Sequence, residues 1–172
     1  PFVREEQLRR NKDDLLPLPT AAERYRANEA LKLLPPDSLP PLIPSPVRYM
    51  RAAGAPVVLD AKWSIRHEVG LEREAAFLAK KLQNLTGRAW QIRPLAEGTP
   101  SSTAIALRTR PLTVNGVQHE AYTLLVGRQG VQISGSDAAG VFYGVQSLLA
   151  LVPVQAFGKP QPRISLPAVE IE

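Results

Sequence analysis

The stretch SGSDAAGVFYGVQSLLALVP, Ser134 to Pro153, limits what this chain can fold into more than any other. Ser136 or Asp137 can cap a helix there, Pro153 ends it, and between them only Tyr143, Gln146 and Ser147 carry polar side-chain atoms. A helix that is apolar on nearly every side must be covered on nearly every side. Gly140 and Gly144, four residues apart, share one face. In a helix interior each glycine costs up to about 1 kcal/mol relative to alanine, so close packing on a sheet is expected to offset it. The other side asks for a second partner, and Phe142, Tyr143 and Leu149 are the candidate residues for that contact.

The rest of the chain supplies the sheet. Leu71, Ala75, Leu78, Leu82 and Leu85 recur at helical steps, and Gly87 stands where a left-handed cap belongs, predicting one amphipathic helix. PVVLDAKWSIRHE predicts a strand pair, WQIRPL and TAIALRT predict two more strands, and AYTLLVGRQGVQIS predicts a hairpin about Gly127 to Gly130. Strands, helix, strands, hairpin and helix in this order give an α+β fold, an antiparallel or mixed β-sheet with two helices packed on one face.

Ten of the 17 prolines precede residue 61, and six fall in PPDSLPPLIPSP, residues 35–46. Proline lacks a backbone donor and favours extended neighbours, so residues 35–56 are expected to connect two parts. Before them, Thr20 and Glu23 form a capping box for a short helix ended by Pro35 and Pro36. Residues 1–34 then read as an extended and helical arm, or the end of a preceding domain. The α+β domain is assigned to residues 57–166 and a lead-in to a further domain to residues 167–172. Without an initiating Met, the chain is expected to be a piece of something longer.

Several chemistries find no support. With no cysteine, thiolate nucleophiles, thiolate metal sites and disulfides are excluded. The net charge of +5 is spread without a basic block, so no nucleic-acid partner is expected. No apolar run approaches the roughly 18 residues of a membrane span. Gly135 and Gly140 have phosphate-loop spacing, but Val141 stands in place of the lysine. His67-Glu68 and His119-Glu120 lack a second histidine four positions on, where Leu71 and Thr123 stand instead. Asn84-Leu85-Thr86 is a glycosylation sequon inside a predicted helix. Trp63 and Trp90 suit a core better than sugar stacking. No catalytic, cofactor-binding or metal-binding residue is assigned.

The segment from Tyr122 to Leu149 resembles the signature of the second, non-catalytic domain of family 20 glycoside hydrolases, the β-N-acetylhexosaminidases and chitobiases. Tyr122, Ile133, Ala138, Gly140, Phe142, Tyr143, Gly144, Gln146, Leu148 and Leu149 fit that pattern, and LIPSPVRYM is similar to its entry at Ile43, Pro44 and Pro46. The resemblance implies a catalytic (β/α)8 barrel as partner beyond SLPAVEIE, and removal of terminal N-acetylglucosamine or N-acetylgalactosamine by substrate-assisted retention. It also implies a bacterial, exported parent protein. The Asp-Glu pair that works in that barrel occurs nowhere in this chain. The segment alone is therefore expected to be inactive, to need no cofactor and not to bind glycans directly. The rival is a stand-alone carbohydrate-binding or protein-interaction module.

Overall fold

The computed structural model describes residues 20–29, 31–32, 42–96 and 102–172. It divides within the proline-rich stretch into two compact units, Pro1–Leu39 and Pro40–Glu172. In the first, helix α1 (Ala21–Glu29) has no buried residue. Its capping box forms as expected, with the Thr20 amide donating to Glu23 Oε2 at 2.7 Å and the Glu23 amide to Thr20 Oγ1 at 3.3 Å. Residues 1–19, Pro35 and Pro36 lie outside the described residues.

The second unit runs β1 (Tyr49–Arg51), β2 (Val57–Leu59), β3 (Ser64–His67), α2 (Glu72–Thr86), β4 (Ile92–Pro94), β5 (Ala104–Thr109), β6 (Tyr122–Gly127), β7 (Gly130–Gly135), α3 (Ala138–Ala150), α4 (Gln155–Gly158), β8 (Ile164–Leu166) and β9 (Val169–Ile171). Seven strands form one mixed sheet in the order β1-β9-β6-β7-β5-β3-β4. Strands β4, β3, β5 and β7 run parallel to one another, and β6, β9 and β1 complete the sheet by antiparallel pairing. The α+β architecture is the one the sequence predicts.

Alternation assigns the two sheet faces. Ile65, Ile105, Leu107, Val131, Ile133, Leu124, Val126, Val169 and Ile171 stand on one face and are wholly buried beneath α2 and α3. The periodic stripe of α2 meets them: Leu71, Ala75, Leu78, Leu82 and Leu85 are all in the same core. Gly87 caps α2 with φ 71° and ψ 10°, and its amide donates to the Gln83 carbonyl.

Three expectations need correction. Residues 35–56 are not connector throughout, since Tyr49–Arg51 is an edge strand paired with β9. Residues 167–172 are likewise not only a lead-in, because Val169–Ile171 fills the place between β1 and β6. Arg48 and Glu172 lock these two ends together by exchanging both backbone hydrogen bonds, at 3.1 and 3.0 Å. Finally, PVVLDAKWSIRHE does not form a strand pair. A turn in which the Trp63 amide donates to the Asp60 carbonyl separates β2 from β3, and β2 instead pairs with β8 in a small second sheet.

Candidate functional site

The candidate site is the outward side of α3, and its geometry begins at the β7–α3 turn. Asp137 is the helix cap: Oδ1 accepts from the Gly140 amide at 2.7 Å and Oδ2 from the Glu120 amide at 3.0 Å. These two bonds, the Gly140 one first, hold the Asp137 carboxyl below its ordinary pKa. Beside it, Ser136 is tied to Ala121 in both directions, amide to carbonyl at 2.8 Å and Ala121 amide to Ser136 Oγ at 3.1 Å. The start of α3 is thus fastened to the residues that lead into β6.

The glycines show why α3 lies so close. A Cβ on Gly140 would run into the Ala121 carbonyl oxygen, and one on Gly144 would come within 2.5 Å of Ile133 Cγ2 and 3.3 Å of the Tyr122 ring. Tyr122 completes the contact, its hydroxyl 2.7 Å from Ser147 Oγ. Gly140, Val141, Gly144, Val145, Leu148 and Leu149 are consequently buried.

The three candidate contact residues separate. Phe142 is half-buried, its ring 5.1 Å from that of Phe77 on α2 and 6.3 Å from that of Tyr143. Tyr143 is 43% exposed, whereas Leu149 is 9% exposed and belongs to the core of this unit. The outward strip therefore consists of Ala138, Ala139, Tyr143, Gln146 and Ala150, with Phe142 and Phe77 at its margin and Lys81 Nζ 5.3 Å from the Phe77 ring. Phe77 was not singled out by the sequence. It flanks the α2 stripe by one position, and nothing local marks such a residue as bridging two helices.

Trp63 and Trp90 are buried, and Trp90 Nε1 donates to Thr86 Oγ1 at 3.1 Å while the Arg88 guanidinium lies 4.0 Å from its ring centre. Neither tryptophan offers a face to a sugar. His67 is half-buried in β3 and His119 exposed in a loop, and among the described residues no group of three or more His, Cys, Asp or Glu could hold a metal. A cleft of about 310 Å³ beside the α3 cap is walled by Pro44, Val47, Val114, Val117 and Tyr122. Asn115 and Glu120 at its rim take φ of 48° and 60°, positions where side chains are uncommon. Among the described residues no helix is long and apolar enough to cross a membrane.

A model of glycosyl hydrolase family 20, domain 2, matches residues 39–172. The chain belongs to that family. A β-hexosaminidase of Vibrio vulnificus is 30% identical over 149 residues, 86% of this chain and 16% of that protein. Another, of Porphyromonas gingivalis, is 35% identical over 100 residues, 57% of this chain and 12% of its own. The family 20 β-N-acetylhexosaminidase of Streptomyces coelicolor A3(2) superposes with a TM-score of 0.58 at 28% identity, over 77% of this chain and 26% of that structure. This family 20 domain thus spans about a sixth or less of the curated relatives it matches.

Proposed function

We propose that this chain is the non-catalytic scaffold of an exo-β-N-acetylhexosaminidase that removes terminal N-acetylglucosamine or N-acetylgalactosamine from glycans or chito-oligosaccharides, with the reacting groups on a (β/α)8 barrel beyond Glu172. The observation that carries this reading is the outward strip of α3. A helix fused so closely to its sheet presents Tyr143, Gln146 and three alanines on its free side, none of them charged, where a solvated helix presents charges, as α2 does with Glu72, Arg73, Lys80 and Lys81. Uncharged, largely apolar surface of that kind is suited to burial against a further domain. Family membership and the longer β-hexosaminidase relatives support the barrel as that domain. In this reading the barrel performs substrate-assisted retention, and the parent protein is bacterial and exported.

The test is hydrolysis of a chromogenic N-acetyl-β-glucosaminide by the natural full-length protein and by this chain. Activity in the full-length protein alone is expected. Turnover by the chain itself, or none by the full-length protein, overturns the reading. A stand-alone module stacking neutral sugars on its tryptophans is disfavoured because both tryptophans lie in the core.

A further inference from the structure

The helix-free face of the sheet carries a different chemistry. Arg66 on β3 and Arg93 on β4 are registered neighbours, and Arg66 is registered on its other side with Ala106 of β5. Arg108 stands two residues further along β5 on the same face, beside Ser134 of β7. Adjacent strands lie about 5 Å apart, so the three guanidinium arms rise from one compact area. Like charges directly opposite one another on a sheet are destabilising. Among the described residues no carboxylate forms an ion pair with Arg66 or Arg93, and the Arg93 guanidinium donates to Gln91. Glu68 is taken by Arg110 at 2.7 Å and by the Thr109 amide at 2.9 Å, with Arg108 a weaker electrostatic influence on it. Although desolvation works against it, these partners keep the Glu68 carboxyl below its ordinary pKa and ionised. The Nε atoms of Arg66 and Arg108 are buried without a hydrogen-bond partner, Ala104 and Ala106 beside them on β5 are buried, and both arginines remain partly exposed.

We propose that this face binds an anionic glycan, with Arg66, Arg93 and Arg108 receiving its carboxylate or sulfate groups and Gln132, Ser134 and Thr123 facing its hydroxyls. A guanidinium fork matches such oxyanions in a bidentate way. The described residues of this face include no aromatic side chain, so the recognition is by charge and not by stacking a neutral sugar or a base. The choice of a glycan over another polyanion rests on the glycosidase reading above. That reading is tested by hydrolysis in the full-length protein, so the two can fail separately.

The experiment is calorimetric titration of the 172-residue chain at low salt with a sulfated heparin octasaccharide and a carboxylated hyaluronan octasaccharide. Chitohexaose and a single-stranded oligodeoxythymidine serve as comparisons. Binding of one or both anionic glycans is expected, weakening at least about tenfold as salt screens the contact. The sulfated and carboxylated arms tell which group the arginines receive. Arg93→Glu, on an exposed edge strand, is expected to weaken binding at least about tenfold, with Arg66→Ser as the second variant. Arg128→Glu at the β6–β7 turn is expected to leave it within about twofold, since that turn lies away from the cluster. No binding of either anionic glycan, equal losses in the Arg93 and Arg128 variants, or equal affinity for the oligonucleotide overturns the proposal.

Discussion

Helices α2 and α3 lie on the same sheet face and touch through Phe77 and Phe142, yet they are held there by different means. Helix α2 inserts large side chains from one stripe, leaves its other side to Glu72, Arg73, Lys80 and Lys81, and ends on a left-handed glycine. Helix α3 does the reverse. It brings its backbone against the sheet by omitting side chains at Gly140 and Gly144, is fastened at its start by Asp137, and carries no charge between Ala138 and Ala150. One helix is anchored by volume and the other by proximity. Only the second is left with an uncharged outer side, which is why that side is the candidate docking face.

Substitutions should break the two helices in different ways. The largest loss is expected from Leu78→Ala in α2, where a wholly buried side chain leaves a cavity. Such truncations cost about 3 kcal/mol in urea unfolding. Gly140→Ala is expected to cost about 2 kcal/mol despite the better helix propensity of alanine, because the obstacle is a backbone carbonyl that cannot move aside. The opposite sign, a gain in stability, would show that α3 is not held by close approach.

A smaller effect, about 1 kcal/mol, is expected from Asp137→Ala, through loss of the cap. Its pH dependence follows from the direction of the shift. The folded carboxyl titrates below the unfolded one, so its contribution is present above the ordinary aspartate value of 3.8 and is lost as pH falls through the folded value. Wild type and Asp137→Ala should therefore converge in stability as the pH is lowered below that value. A difference that stays constant across this range would contradict the capping role. Lys80→Ala, on the solvated side of α2, should lie within about 0.5 kcal/mol of wild type.

The same contrast explains how much of the molecule was legible in sequence. The α2 stripe, its Gly87 cap, the hairpin at Gly127 to Gly130 and the capped apolar helix are local patterns, and all form where residue spacing places them. Strands β1 and β9 are three residues each and follow or adjoin prolines. Their partner lies more than a hundred residues away, at Tyr49↔Ile171, and no local pattern encodes that pairing. Strand β2 pairs with β8, more than a hundred residues on in the chain, and its short apolar run carries no mark of that partner. At the site, glycine spacing and composition identified α3 and Tyr143. They did not reveal that Leu149 faces inward or that Phe77 leans on Phe142, because a helix apolar on every side carries no phase from which to read its orientation.

Phe142 is a poor probe of docking because it also packs within this unit, so Phe142→Asp should damage the chain alone as well as the full-length protein. Tyr143→Asp isolates the outer side. The decisive measurement is the thermal midpoint of the natural full-length protein and of this chain, each with and without that substitution. The full-length protein is expected to lose several degrees and the chain clearly less, since within this unit Tyr143 gives up only its edge contact with the Phe142 ring. Equal shifts in the two would contradict the claim that α3 docks a further domain.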